Sequence, residues 1–162
     1  QDLLMLARAD AGRRLARETV SLNSLLEDIC RQARQLAPER QITLETSPDL
    51  ACAGDRDALK QVLLILLDNA LKHSEGAVNV SAESGKTQVC VRVQDSGEGL
   101  PPEQLEHVFD RFYRGEDRLN VQGLGLGLPI AKALVEGMGG SITMESEVGK
   151  GSRVNIRLAV AA

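Results

Sequence analysis

The chain has 162 residues and a net charge of −4, with acids and bases interspersed. That length suits one domain with a sizeable core, and the charge pattern gives no electrostatic case for nucleic acid. Its only aromatics, Phe109, Phe112 and Tyr113, fall within five consecutive residues, so the core must be aliphatic and one loop is chemically distinct.

Leu3, Leu4, Ala7 and Ala11 carry a helical stripe ending at Ala11-Gly12, too short to be stable alone. Gln1 already falls within it, which predicts a chain cut from something longer. Thr19-Val20-Ser21 offers hydroxyl caps to a second amphipathic run, Leu25, Leu26, Ile29, Ala33 and Leu36, which Pro38 closes. Gln41 to Thr46 alternates like a half-buried strand, Pro48-Asp49 turns, and Leu50 to Ala53 reads as a short strand. Cys30, Cys52 and Cys90 lack metal-ligand spacing and read as small core residues in a reducing compartment. There is no signal peptide and no apolar run of membrane-spanning length.

After Gly54-Asp55 comes the helix that organises the rest. Leu59, Val62, Leu63, Leu66 and Ala70 recur at the spacing of one buried face. Asn69 shares a flank with Lys72 and with His73. An amide oxygen beside an ammonium suits a metal-bound polyphosphate; the plainer reading leaves Asn69 on backbone and Lys72 in solvent. Val78, Val80, Ala82 and Val89, Val91, Val93 then form a hairpin around Gly85-Lys86. Pro101-Pro102-Glu103 starts a short helix, Pro129 to Met138 forms a longer one, and Ser141 to Ser146 with Ser152 to Val160 closes the chain as two strands. The order predicts an α+β two-layer sandwich, with helices on one face of a mixed, mostly antiparallel sheet.

Asp95-Ser96-Gly97-Glu98-Gly99 falls at a strand end, where a carboxylate can accept from a flat heterocycle while glycines admit close backbone approach. An ordinary turn has the same composition. Gly123-Leu124-Gly125-Leu126-Gly127-Leu128 precedes a helix whose N–H groups can hold phosphate. It fails the dinucleotide pattern, and Gly149-Lys150-Gly151-Ser152 fails the P-loop pattern, so both familiar nucleotide folds are disfavoured.

Taken in order, these segments resemble the catalytic ATP-binding domain of sensor histidine kinases, whose Bergerat fold is shared with type II topoisomerases and mismatch-repair ATPases. Asp68 to Ser74 is similar to the N box, Asp95 to Gly99 to the first glycine box, Phe109 to Arg114 to the F box, and Gly123 to Leu128 to the second glycine box. The resemblance implies ATP and Mg²⁺ as ligands. It makes Asn69 the Mg²⁺ ligand, Lys72 a phosphate contact and His73 a neighbour of the nucleotide. It makes Asp95 the acceptor of the adenine amino group, with Ser152 nearby and Gly97 and Gly99 in the same loop. Arg114 to Gln122 would form the ATP lid, moored by Phe109 and Phe112, with Arg114 and Gly123 as nucleotide contacts. Gly125, Leu126 and Gly127 would offer backbone to the phosphates.

Residues 1–18 would be the tail of the dimerisation helix and 19–162 the catalytic domain. The implied acceptor is a histidine on an upstream dimerisation hairpin, since His73 and His107 are the only histidines and neither matches it. The implied setting is a homodimer in the bacterial inner membrane, with this domain in the cytoplasm and a response regulator as partner. Three departures stand out. Ile65 replaces an Asn one turn before the metal ligand, and Gln122 and Leu124 replace Gly and Ser/Thr. Ile65 also lies where related hydrolases carry a glutamate, which weighs against hydrolysis. The alternative to a kinase is a non-catalytic nucleotide-sensing module of the same fold.

Overall fold

The computed structural model describes residues 15–110 and 127–161. The expected helix over Leu3 to Ala11 lies outside them, as do Phe112, Tyr113, the lid segment, Gln122 and Leu124. The described elements are β1 (Glu18–Ser21), α1 (Leu22–Leu36), β2 (Ile42–Thr46), β3 (Ala51–Gly54), α2 (Arg56–Lys72), β4 (Val78–Ser84), β5 (Gln88–Asp95), α3 (Pro102–Leu105), α4 (Gly127–Gly137), β6 (Ser141–Glu147) and β7 (Gly151–Ala159).

The strands β2, β4, β5, β7 and β6 form one sheet in that spatial order, parallel only between β2 and β4. The parallel pair arises because the chain leaves β2, passes through β3 and α2, and returns beside it. Alternation sorts the faces. Val78, Val80 and Ala82, with Val89, Val91 and Val93 and with Val154, Ile156 and Leu158, are buried under the helices. α2 covers them with Leu59, Val62, Leu63, Leu66 and Ala70, the five residues of the predicted stripe, each almost wholly buried. Burying such leucines contributes about 1.5–3 kcal/mol each. The expected α+β architecture is the observed one.

Three expectations change, the simplest being that Leu36, read as part of the apolar run of α1, is 86% exposed. Thr19 to Ser21 does not cap α1. Glu18–Ser21 is a strand paired antiparallel with β3, and Ser21, at the cap position, makes no side-chain capping bond. The first helical N–H, of Leu22, instead donates to the Leu50 carbonyl at 2.9 Å. Cys30 and Cys52 are core residues, and burial raises both thiols, Cys52 to about 11. Cys90 is only half-buried, because alternation puts it on the outer face of β5 with Arg92.

Asp55 joins the chain's entry to the central helix. It is buried, its Oδ1 caps α2 by accepting from Ala58 N at 3.0 Å, and its Oδ2 accepts from Ala16 N at 2.9 Å. Leu15 packs on the core nearby, so the residues just before β1 are held both by that packing and by the Asp55 carboxylate at the helix start. Asp55→Ala is expected to cost about 1–2 kcal/mol for the lost cap alone. Asp55→Asn, which still accepts, is expected to cost less. Urea denaturation checks both, and an unchanged midpoint for the alanine variant would remove Asp55 from this role.

Candidate nucleotide site

The site gathers where β5 ends, β7 begins and the last turn of α2 lies above them. Asp95 continues the helix-facing row of Val91 and Val93, so its carboxylate points toward the helices and is 7% exposed. Oδ1 accepts from Gly97 N at 2.9 Å and from Ser152 N at 3.3 Å. Oδ2 receives no donor from the described residues, so one acceptor remains for a ligand while the other locks the group in place.

Ser152 lies on the same face of β7, with its hydroxyl 2.8 Å from that of Ser146 across the β6–β7 pair. Ser146 Oγ accepts from Leu100 N at 2.7 Å and lies 3.1 Å from the Gly151 carbonyl. A hydroxyl has one proton. Ser146 can give its proton to Gly151 or to Ser152, and in both arrangements Ser152 keeps a lone pair able to accept from a ligand. Neither Ser146 nor Gly151 has a local sequence signal for this role, which depends on strand register.

The glycines have a packing role within the protein. A Cβ on Gly97 would collide with the His73 carbonyl, and one on Gly99, where φ is 76°, with the Glu147 carbonyl. Gly151, at φ 99°, would meet the Asp95 carbonyl in the same way. These glycines let protein backbones meet around Asp95, a packing demand independent of any ligand. Gly99 thereby belongs to the contact with the β6–β7 hairpin, where Gly149 N donates to the Glu98 carbonyl at 2.7 Å.

Asn69, Lys72 and His73 occupy the last turn of α2, as the spacing predicts. Asn69 is half-buried and its amide makes no hydrogen bond to a described residue. Lys72 pairs with Asp68 at 2.9 Å, but both are well exposed and such a pair contributes roughly 0–1 kcal/mol. Lys72 can therefore leave Asp68 at small cost. His73 is exposed at the C-cap, its N–H donating to the Asn69 carbonyl at 3.1 Å. Gly127 opens α4 against α2, where a Cβ would lie 3.4 Å from Ile65 Cγ2, one turn before Asn69. Phe109 packs on the core under Lys132, whose Nζ is 5.8 Å from the ring centroid. Arg114, Gly123, Gly125 and Leu126 lie outside the described residues. Sequence reasoning also passed over Arg40, which has no local motif yet makes four hydrogen bonds to the end of α2 and the turn after it, one to Leu71, one to Ser74 and two to Gly76.

Residues 54–162 match the family described as histidine kinase-, DNA gyrase B-, and HSP90-like ATPase, over more than half of the chain. The chain belongs to this family. Sensor histidine kinase YkoH of Bacillus subtilis is 35% identical over 158 residues, covering 96% of this chain and 35% of its own length. Sensor histidine kinase AruS of Pseudomonas aeruginosa is 40% identical over 156 residues, covering 88% of this chain and 16% of its own. The chain thus spans about a third or less of these relatives. Among solved structures, full-length ShkA in complex with AMPPNP has a TM-score of 0.84 at 29% identity, over 99% of this chain and 35% of that one. The mycobacterial sensor histidine kinase MprB has a TM-score of 0.80 at 26% identity, over 88% of this chain and 98% of that one. The family match makes this an ATP-binding catalytic domain of the sensor histidine kinase type. No helix among the described residues is long and apolar enough to cross a membrane.

Two predictions follow from the geometry of this ATPase domain. Gly97→Ala is expected to destabilise it by about 1–3 kcal/mol through overpacking against the end of α2; a wild-type melting temperature would show that the loop yields freely. His107, exposed beside Asp110 at 2.7 Å, has its pKa raised first by that hydrogen bond. A raised folded value means that its protonated form contributes stability at low pH, and the contribution is lost as pH rises through that value. The His107 NMR titration should therefore have its midpoint above the ordinary 6.5, and Asp110→Asn should bring it down. An identical midpoint in the variant would exclude Asp110 as the cause.

Proposed function

We propose that this domain transfers the γ-phosphoryl group of ATP to a histidine on an upstream dimerisation hairpin of the same kinase. The observation that carries the reading is Asp95, anchored through Oδ1 and open at Oδ2 beneath the turn bearing Asn69 and Lys72. Oδ2 would accept from the adenine amino group, with Ser152 as a second acceptor nearby. The first residues of α4, Gly127 included, would face the phosphates together with Lys72, and Gly123, Gly125, Leu126 and Arg114 are assigned by resemblance to the same task. His73 would lie along the nucleotide.

A divalent cation is compatible with these residues. Asn69 offers a half-buried amide oxygen unclaimed by described residues, and no group of three or more His, Cys, Asp or Glu side chains among the described residues could hold a metal. One protein oxygen, with phosphate and water completing the shell, is the habit of Mg²⁺. When bound, Mg²⁺ would neutralise phosphate charge. The chain's own residues bind and orient, which is most of what phosphoryl transfer asks of a protein.

Ile65 supports transfer over hydrolysis. It packs against the core close to the start of α4, at the position where a water-activating carboxylate would stand, and has no proton-accepting group. The dimerisation-helix tail expected over residues 1–18 would have to end before Leu15, since residues 15–17 are not helical and Glu18 opens β1, with the catalytic domain following. A homodimeric, inner-membrane kinase with this domain in the cytoplasm, acting on a response regulator, is the wider setting.

Radiolabelled Mg-ATP, mixed with this chain and the separately produced hairpin, should yield acid-labile, base-stable label on the hairpin. Replacing the hairpin histidine should abolish it. ATP binding without transfer would instead favour a nucleotide-sensing module. Asp95→Asn is expected to weaken ATP about 10- to 100-fold, since a hydrogen bond to a charged group is worth roughly 1.5–3 kcal/mol. Unchanged affinity in calorimetry would remove Asp95 from the site.

A further inference from the structure

We propose that Arg40 is a positioning residue for phosphoryl transfer, pinning the last turn of α2 so that Asn69 and Lys72 meet the phosphates. The proposal rests on the assignment of those two residues to the phosphate end of the site. Arg40 lies in the turn between α1 and β2, far from α2 in sequence. Its guanidinium nonetheless donates from Nη1 to the Leu71 carbonyl at 2.9 Å, and from Nη2 to Ser74 Oγ at 2.8 Å and to the Gly76 carbonyl at 2.8 Å. Nε adds a longer bond to the same Gly76 carbonyl at 3.3 Å.

These bonds complete the end of the helix. The last carbonyls of a helix have no intrahelical donor, and a glycine in left-handed conformation commonly closes the gap. This helix has none, for its cap is His73 at φ −104°. The Asn69 carbonyl takes the His73 N–H at 3.1 Å, the Ala70 carbonyl takes Ser74 Oγ at 2.7 Å, and the Leu71 carbonyl takes Arg40. Ser74 Oγ gives its proton to Ala70 and accepts from Arg40, so the three partners form one connected network. The guanidinium also brings positive charge to the negative end of the helix dipole.

Arg40 is itself held firmly. Its N–H donates to the Ala37 carbonyl at 3.0 Å, and the next residue, Gln41, accepts from Val78 N at 2.9 Å. On the opposite side the His73 carbonyl rests on Gly97, where nothing larger than hydrogen fits. The turn is thus held between a guanidinium anchored beside the sheet and a glycine of the Asp95 loop. Asp95 is not held by Arg40, so loosening this grip should separate the two ends of the nucleotide site.

The test compares Arg40→Gln and Arg40→Lys with wild type in two measurements. Amide hydrogen exchange should accelerate in Arg40→Gln at residues 69–76 and not in β5 or β7. Calorimetry should show Mg-ATP affinity falling about tenfold or more, the size expected when a contact to a charged group is lost, while affinity for ADP in EDTA, read mainly through Asp95, stays at the wild-type value. Arg40→Lys keeps the charge but fewer of the bonds and should fall between; it serves alone if the glutamine variant does not fold. Parallel loss of both ligands, or lower stability with an unchanged affinity ratio, would overturn the role. So would unchanged exchange at residues 69–76. Asn69→Asp separates the two layers: if it leaves the Mg²⁺ dependence intact, the assignment of Asn69 fails and the proposal falls with it. If Asn69→Asp removes that dependence while Arg40→Gln does not alter it, Arg40 alone is wrong.

Discussion

The site depends on how closely three stretches of backbone approach one another around Asp95. The end of β5, the start of β7 and the last turn of α2 come together only because Gly97 and Gly151 carry no side chain there. Once the backbones meet, their N–H groups do the rest. Gly97 N and Ser152 N fall on one oxygen of Asp95 and leave the other oriented and open. A carboxylate held by two backbone donors does not need to reorganise when a ligand arrives, and that is the sense in which such a site is preorganised.

The two faces of the sheet differ in how their polar groups are satisfied. The helix side is filled by aliphatic side chains along most of its length, with Asp95 at its end. The outer side carries a polar network in which Asn155, only 2% exposed, accepts from Arg92 Nε at 2.9 Å and donates to Glu145 at 3.1 Å. Glu145 in turn pairs with Arg153 at 3.0 Å, and its pKa is lowered, chiefly by the hydrogen bond from Asn155. Asn155, the buried polar side chain of that face, is thus satisfied within the protein. Asp95 Oδ2 and the Asn69 amide are different, because they are polar groups near the core with capacity the described residues do not fill.

Much of this was legible in the chain, and the reasons it was or was not are physical. α2 declared itself because a helix buried along one stripe must repeat Leu59, Val62, Leu63, Leu66 and Ala70, and β4 and β5 did so by strict alternation. β1 did not, since a strand of four residues with a single buried side chain, Val20, has too short a pattern to distinguish from a hydroxyl-rich helix start. Its identity comes from pairing with β3, a partner some thirty residues on. The same limit hid Arg40 and Ser146, whose roles come from contacts that only tertiary structure supplies. Asp95 was an instructive ambiguity. Its bond to Gly97 N, two residues on, is the local bond of an ordinary turn, and the bond from Ser152 N, which no local pattern announces, ties that turn to the start of β7.

Ile65 shows how one substitution can separate chemistries that share a fold. It packs against the core close to the start of α4, so the wall beside Asn69 is apolar where a hydrolase would place a base. An apolar wall lowers the local dielectric and excludes an ordered water from the position of attack. In a kinase both effects are useful, since water competes with the acceptor imidazole for the same phosphoryl group. Losing a polar residue at Ile65 removes one oxygen near the metal position, but it also removes the group best placed to activate water. On this view the departure at Ile65 favours the proposed transfer and does not count against it, provided Asn69 and the phosphates suffice to hold the cation.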